Sequence, residues 1–315
     1  MRAYATRRLI QIPFAILFLT VVVFSLTRIV PGDAGEARCG AAGNFSEECF
    51  EVARRELGLD KSKVEQYWVW LTDFVSGDLG YSSSLRADIN TELWGRLSNT
   101  FQLGAMSMLM AVFIGVPIGV LSALRAGRIE DLVARFFAIL GLSVPNFWIA
   151  TVVIIMPAYW WGVNLAPGWI KLADDPVGHF RILALPAAIG ALAGGAYIAR
   201  IVRSSMLDVL HSDHVRTARA KGLFERRVVI SHVMRNSMLT LFTILGLQFS
   251  GILGGSVIME SIFQIPGMGA FLLKGISARD FNIVLGVSTI FAVWFMFITL
   301  AVDLLYGWVD PRIRY

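Results

Sequence analysis

Charge is scarce in this 315-residue chain, because only 16% of its residues are Asp, Glu, Lys or Arg while 56% are hydrophobic. Ordinary soluble domains carry roughly a quarter of charged residues. The composition therefore excludes an ordinary soluble domain and indicates a protein whose main solvent is lipid. The net charge is +5, but Lys and Arg collect at the ends of apolar runs. That distribution indicates membrane topology rather than nucleic-acid binding.

Residues that carry common catalytic chemistry are also few. None of the lysines stands in the GK[ST] context of a phosphate-binding loop, so we expect no ATP hydrolysis by this chain. The sequence contains neither HExxH nor GxSxG, so no motif supports a membrane protease or a lipase. His211 and His214 flank Asp213, but the cations that follow would repel a metal ion, and we predict solvated surface histidines. The sequence thus predicts no catalytic residue, no metal site and no cofactor in this chain.

The only two cysteines, Cys39 and Cys49, lie in one polar stretch after the first apolar run. If that stretch is external, it faces an oxidising compartment, and we predict a disulfide. A bridge that closes a loop of about ten residues stabilises the segment by roughly 2 to 3 kcal/mol. Two free thiols are the alternative.

Six apolar runs are long enough to cross a bilayer, which takes about 20 residues of helix. They cover residues 9–30, 100–124, 136–161, 182–201, 239–262 and 282–306. The first run exceeds a signal-peptide core of roughly 7 to 15 residues and lacks a small-residue cleavage site, so we expect a retained helix. Short inner segments hold more Lys and Arg than short outer loops, which predicts cytoplasmic termini. Pro145 and Asn146 predict a kink in the third run.

These runs predict an all-α, polytopic membrane protein with six transmembrane helices. We divide it into a cytoplasmic N-terminus with the first helix (1–30), an external loop (31–98), a five-helix core (99–306) and a cytoplasmic C-terminus (307–315). Apolar periodicity in the external loop predicts two amphipathic helices on either side of Gly58–Lys61. Gly115 and Gly119 have the GxxxG spacing that lets membrane helices approach closely.

A basic, polar segment at 213–227 separates the fourth and fifth runs, and it contains the sequence HVRTARAKGL from His214 to Leu223. As a helix from His214 to Lys221, it places Val215, Ala218 and Gly222 on one stripe. Arg216, Ala220 and Leu223 are turned away from that stripe. We interpret the segment as a short surface helix that docks through its small residues and stops at Gly222.

HVRTARAKGL resembles the conserved cytoplasmic loop of ATP-binding-cassette (ABC) importer permeases, written EAA, three residues, G. In the dipeptide, oligopeptide and nickel branch this loop usually reads close to YVRTARAKGL. Here His214 replaces the tyrosine, and Thr240 stands where proline is usual. The likeness extends to LTRIVPGD (Leu26–Asp33), to GDLGYS (Gly77–Ser82) and to the closing DLLYGWVDPRIRY from Asp303.

The resemblance implies a coupling helix that sits in a cleft of a separate ATPase subunit. The residues it assigns to this contact are His214, Val215, Arg216, Thr217, Ala218, Arg219, Ala220, Lys221, Gly222 and Leu223. It further implies half of a translocation pathway in a bacterial inner membrane. The implied partners are a homologous permease, two ATPases that hold ATP and Mg, and an external binding protein.

Several alternatives remain open at the level of sequence. The substrate class spans peptides, nickel chelates, glutathione, opines and oligosaccharides. An ion-coupled secondary transporter or a channel acting without an ATPase is the main rival, and a membrane enzyme or a receptor are others. No carboxylate lies at the centre of a run, since Glu260 and Asp303 are near the ends, and this argues against ion coupling. We expect Asp303 to pair with a basic residue at the inner face.

Overall fold

The computed structural model describes residues 2–29, 35, 39–40, 43, 46–56, 58–82, 84–166, 168–250 and 257–309. The α-helices are α1 Arg2–Ile29, α2 Glu47–Glu56, α3 Lys63–Ser76, α4 Ile89–Leu124, α5 Ile129–Ser143, α6 Asn146–Trp161, α7 Pro176–Leu210, α8 Asp213–Ala220, α9 Glu225–Arg227, α10 Arg235–Ser250, α11 Val257–Ile262, α12 Met268–Ser277 and α13 Phe281–Val309. A π-helical turn covers Val228–Met234, and a short antiparallel hairpin pairs β1 Tyr81–Ser82 with β2 Ala87–Asp88.

Within the described residues, four helices are long and apolar enough to span a membrane, and they fall on the first, second, fourth and last predicted runs. The fifth run, 239–262, forms α10 and α11 in part, but residues 251–256 lie outside the described residues. The six-helix count is therefore not confirmed, although the all-helical, multi-pass architecture is. The predicted pairing of Asp303 involves a side chain that lies outside the described part of the chain. Glu260 is buried in α11.

The third predicted run is broken rather than gently kinked. Helices α5 and α6 meet at an angle of 87° at residues 144–145, and the pair is apolar enough to count as one broken span. Pro145 starts the second helix because its ring fixes φ and it has no N–H to donate. Helix α5 begins at Ile129, seven residues before the predicted start of the third run at residue 136, so residues 129–135 are helical as well.

Contacts divide the chain into two compact units, one built mainly from Phe101–Ile265 with the end of α13, and the other from Arg2–Thr100 with Pro266–Phe297. The core of the first unit contains small and β-branched side chains of α4, α7, α8, the π-helical turn and α10. Its buried members are Ala111, Ala123, Ala191, Ile198, Val202, Met206, Val215, Ala218, Val228, Val229, Val233 and Leu241.

The GxxxG pair of α4 packs directly on α7, as the spacing predicts. A Cβ atom added to Gly115 would lie 2.5 Å from the carbonyl oxygen of Gly195, and one added to Gly119 would lie 2.6 Å from that of Ala199. Both obstacles are backbone atoms, which cannot turn aside. Glycine is required here because the two helix backbones almost touch.

The buried side chain of His179, in the first turn of α7, binds the loop that precedes this helix. Its Nδ1 lies 2.7 Å from the carbonyl oxygen of Ile170, and its Nε2 lies 2.7 Å from Oε1 of Gln102. The ring of Trp169 packs against it edge-on. Sequence reasoning assigned no role to this histidine, which holds the loop before α7 against α4.

In the second unit, α2 and α3 confirm the two helices that periodicity predicted within residues 31–98. The Ser62 hydroxyl caps α3 by accepting from the backbone N–H of Glu65, and Gly77 ends it with a φ of 89°. Cys39 and Cys49 are joined by a disulfide. The core of this unit packs the hairpin region and the first turns of α4 on α12 and α13, with Ile89, Phe271 and Ile283 fully buried.

Within the second unit, Asp280 joins the β1–β2 hairpin to the start of α13. Its Oδ2 accepts from the hydroxyl of Ser82 at 2.8 Å and from both the hydroxyl and the backbone N–H of Ser84 at 3.0 Å. Because this carboxylate is almost completely buried, its three donors replace the water that it loses.

Candidate functional site

The basic segment forms α8, which begins one residue before the predicted helix and ends one residue earlier. The Thr217 hydroxyl donates to the carbonyl oxygen of Asp213 inside the helix. After Ala220 the chain turns at Gly222, whose φ is +77° and whose N–H donates to the carbonyl oxygen of Arg219 at 2.9 Å. The predicted stop at Gly222 is confirmed, and glycine suits it because the left-handed region strains other residues.

Two of the three residues of the predicted stripe, Val215 and Ala218, face the protein's own core, whereas the third, Gly222, is exposed. Val215 is fully buried and Ala218 nearly so, and both belong to the core cluster of the first unit. Leu223, expected to turn away, is half-buried and packs on the same cluster. The interpretation that the segment docks through its small residues is therefore wrong for Val215 and Ala218, which pack inside the chain, while the contact of the segment with an ATPase stays a prediction. Val215 and Ala218 instead anchor α8 to the core that contains the π-helical turn and residues of α7 and α10, because these apolar groups gain more by leaving water than by remaining exposed.

The opposite side of the segment is open to solvent. Its exposed members from the predicted contact set are His214, Arg216, Thr217, Arg219, Ala220, Lys221 and Gly222. Phe224, the next residue after that set, is 86% exposed, which is unusual for a large aromatic side chain. We call the exposed surface of residues 213–227 the basic face.

An ion pair closes the turn between α8 and α9. Arg219 donates from Nη2 to Oε1 of Glu225 at 2.6 Å and from Nε to Oε2 at 3.1 Å, which is the two-pronged geometry favoured by guanidinium. The hydrogen bond from Arg219 lowers the pKa of Glu225, and the same contact raises the pKa of Arg219. Lys221, Arg226 and Arg227 are exposed and form no ion pair with any other described residue, so the face keeps a positive charge.

The histidines of the segment are not arranged as a metal site. His211 and His214 are exposed, as predicted, and the described residues contain no group of three His, Cys, Asp or Glu side chains that could hold a metal. Nδ2 of Asn236 lies 3.3 Å from Nε2 of His214 and also donates to the carbonyl oxygen of His232. His214 thus contacts the start of α10, across the segment.

A π-helical turn leads from the basic face into α10. It covers Val228–Met234, and its Val228, Val229 and Val233 are buried in the same core cluster as Val215. A π-helix, in which hydrogen bonds join residues i and i+5, is rare and often occurs at functional sites. Apolar periodicity does not reveal it, because the pattern of a π-turn differs from that of an α-helix by less than one residue.

A buried carboxylate, that of Asp131, supports the helix that leads into α8. Asp131 at the start of α5 is 1% exposed and accepts from Nε of Arg203 at 2.7 Å and from the Ser122 hydroxyl at 2.6 Å. The backbone N–H of Gly127 donates to its other oxygen. This network fixes the turn between α4 and α5 to α7. The sequence signal that could have indicated this site is an acidic residue among arginines after the end of an apolar run.

Taken together, the segment lacks the paired acid, base or nucleophile that catalysis requires, within the described residues. It combines a positively charged exposed face with an apolar side fixed to two long helices. Such an element can transmit a displacement from a partner to the helices that it joins.

The chain is similar to known transport proteins over its whole length. Residues 115–315 match the family described as binding-protein-dependent transport system inner membrane component. Residues 1–88 match the N-terminal part described for the membrane component of the same systems. A putative peptide transport system permease protein of Brucella abortus (strain 2308) is 36% identical over 315 residues, with 100% of each chain covered. The dipeptide transport system permease protein DppB of Escherichia coli (strain K12) is 35% identical over 338 residues, with 100% of this chain and 99% of the relative covered.

A solved structure shares the fold. The MetNI methionine ABC transporter in an inward-facing conformation aligns with a TM-score of 0.52 at 16% sequence identity. The alignment covers 68% of this chain and 94% of that one. The described fold is therefore shared with a chain of that ABC transporter.

Proposed function

Because the chain belongs to the family of binding-protein-dependent transport system inner membrane components, we propose that it forms half of the pathway of an ATP-driven importer. A member of this family is a transport component and not an enzyme. The other half would come from a homologous permease, and a soluble binding protein would deliver the solute from outside. Two ATPase subunits would hold ATP and Mg, which this chain has no loop to bind.

The basic face is the proposed contact with an ATPase subunit. The observation that carries this proposal is the division of residues 213–227 into a buried apolar side and an exposed cationic side. Val215 and Ala218 fix the segment to the core that contains α7 and α10. A partner that moves the basic face therefore moves both helices, and alternating access follows as a shift of packed helices. Phe224, exposed beside the cations, supplies an apolar anchor for a partner pocket.

Placing the basic face against an ATPase sets the topology. Residues 213–227 then lie in the cytoplasm, together with both termini and the turn between α4 and α5. The loop 31–98, with its disulfide, then lies outside, where an oxidising compartment maintains the bridge. The relatives carry peptides or dipeptides by their names, and we extend that class, peptides or related small solutes, to this chain.

The test is Gly222→Asp in the assembled complex. No atom lies within 4 Å of a Cβ built at Gly222, so a side chain there points into open space on the basic face. We expect normal membrane insertion, ATP hydrolysis that no longer responds to the binding protein, and loss of uptake. Gly162→Asp is the matched control, since Gly162 also has a positive φ and open space but lies after α6, away from the basic face. Normal uptake by the Gly222 variant would refute the coupling role.

A further inference from the structure

A groove of about 160 Å³ lies within the first unit, between α4, α5 and α7. Helix α5 runs antiparallel to α7 along this groove. Asp131 contacts Arg203 near one end of the pair, and a Cβ atom built at Gly141 would lie 3.1 Å from that of Ala196 near the other. The aliphatic lining consists of Ile118, Ala134, Ala138, Ile139, Leu142 and Ala199. Its three large members are exposed, so the groove opens on the surface of the helices and not towards their core.

Three arginines line the same groove, and they are Arg135, Arg200 and Arg203. Each stands at the end of an apolar run. Arg135 directly precedes the third run, and Arg200 and Arg203 lie where the fourth run ends. The ends of apolar runs lie at the boundary between the acyl chains and the headgroups of a bilayer. The groove therefore places three cations beside an aliphatic surface at the depth of lipid phosphate groups.

The buried carboxylate of Asp131 leaves many donors of these arginines unused. It accepts from Nε and Nη2 of Arg203, whereas Nη1 has no hydrogen bond to a described residue. Arg135 approaches it only at 3.5 Å and is half exposed. Arg200 is exposed and forms no ion pair with a described residue, and its guanidinium carbon lies 5.6 Å from the ring centroid of Tyr197. Three cations face one carboxylate, so the groove keeps an excess of positive charge.

We propose that this groove binds one anionic phospholipid. The phosphate oxygens accept from the guanidinium groups of Arg135 and Arg200 and from Nη1 of Arg203, and the first methylene groups of an acyl chain lie on the aliphatic lining. Arginine suits this role because its planar group offers paired N–H donors to a phosphate, and basic pockets between membrane helices bind such headgroups. A zwitterionic lipid fits less well, since its own cation would add to the excess of positive charge. The proposal goes beyond the proposed function, because it requires no contact with an ATPase.

The experiment uses the purified full chain in detergent, with any subunits that stay bound to it, after its native lipid has been exchanged away. The probes are dioleoyl phosphatidylglycerol, which is anionic, and dioleoyl phosphatidylcholine, which has the same acyl chains and no net charge. Native mass spectrometry counts the lipids bound to the chain at each concentration. We expect the first phosphatidylglycerol to reach half-occupancy at a roughly tenfold lower concentration than the first phosphatidylcholine.

Arg200→Gln should raise the concentration of phosphatidylglycerol at half-occupancy roughly fivefold, because it removes one of the phosphate donors. Arg128→Gln is the matched control, since Arg128 is an exposed arginine just before α5 that does not line the groove. Its effect should stay below about twofold, because solvent and salt screen an exposed charge. Ala138→Leu fills the groove without changing any charge, and it should also weaken the binding of the first phosphatidylglycerol. Inorganic phosphate should displace no more lipid than chloride does at the same ionic strength.

Equal half-occupancy for the two lipids would overturn the proposal, because the groove would then show no preference for an anion. Equal effects of Arg200→Gln and Arg128→Gln would do the same, since the lipid would then respond to the general surface charge at this end of the helices. Displacement by inorganic phosphate, but not by chloride, would assign the groove to a small anion instead of a lipid. The importer role is tested separately by uptake and stands or falls independently of these results.

Discussion

The guanidinium of Arg203 forms two hydrogen bonds with the carboxylate of Asp131, from Nε at 2.7 Å and from Nη2 at 2.9 Å. Asp131 is at the start of α5. Arg203 is in the last turns of α7, the helix that precedes α8 in the chain. The carboxylate is completely enclosed, whereas the arginine remains partly exposed. This pair therefore fixes the position of α7 just before the chain enters the basic face.

We predict that Arg203→Leu destabilises the protein by about 3 to 5 kcal/mol, because it leaves a buried carboxylate without its main donor. The measurement is the thermal unfolding midpoint in detergent. Arg135→Leu is the matched control, since Arg135 approaches the same carboxylate only at 3.5 Å and is half exposed. Its effect should stay below about 1 kcal/mol. Equal midpoints for the two variants would show that the pair does not support α7.

A second prediction concerns the contact of α4 with α7. Gly119→Ala should destabilise the protein by about 1 to 3 kcal/mol, because the new methyl group would lie 2.6 Å from a backbone oxygen of Ala199 and 2.8 Å from Cβ of Val202. Gly95→Ala lies in the same helix with nothing within 4 Å of its Cβ. That control should stabilise by about 0.5 to 1 kcal/mol through helix propensity. Destabilisation by both variants to the same extent would refute the close packing.

Apolar length and local stop signals made the long helices and the end of α8 predictable. A run of about 20 apolar residues has few alternatives in lipid. Gly222 has a φ of +77° after the helix, and glycine is one of the few residue types that adopt this conformation readily. The GxxxG spacing of Gly115 and Gly119 also predicted a contact correctly, because small residues at that interval form a groove on one helix face.

The features that could not be predicted from the sequence all depend on tertiary contacts. The stripe of Val215 and Ala218 was identified correctly, but not what it packs against, since an apolar stripe fits its own core as well as a partner. The burial of Asp131 depends on Arg203, which is far away in the sequence. The 87° break at Pro145 and the cavity of about 500 Å³ beside it depend on how six helices enclose a space. None of these follows from local periodicity.

A third prediction concerns the external loop. Denatured, unreduced protein should contain no titratable thiol, and reduction should release two, because Cys39 and Cys49 are bonded. Cys39→Ser combined with Cys49→Ser should weaken the segment by roughly 2 to 3 kcal/mol. The rate of limited proteolysis between residues 39 and 49, with and without reductant, measures that loss. Two reactive thiols before reduction would contradict the bridge.

The last prediction concerns the ion pair of the basic face. The pKa of Glu225 is lowered by the hydrogen bond from Arg219, so the folded state binds a proton less readily than the unfolded chain. The contribution of the pair is therefore complete above the ordinary pKa of a glutamate and is lost as the pH falls through the lowered value. It should be constant at neutral and mildly alkaline pH. Both side chains are more than a third exposed, which limits the contribution to less than about 1 kcal/mol.

The contribution of the ion pair is measured as the rate of trypsin cleavage after Arg226 and Arg227, next to the turn that the pair closes. Glu225→Gln should increase the cleavage rate about twofold to fivefold, because the turn opens more often. An acidic residue beside the cleaved bond also slows trypsin directly, so the pair is isolated with a double-mutant cycle. In an Arg219→Met background the same Glu225→Gln change should have a clearly smaller effect. An equal increase in both backgrounds would assign the whole effect to the protease and leave the turn closed by its backbone hydrogen bonds alone.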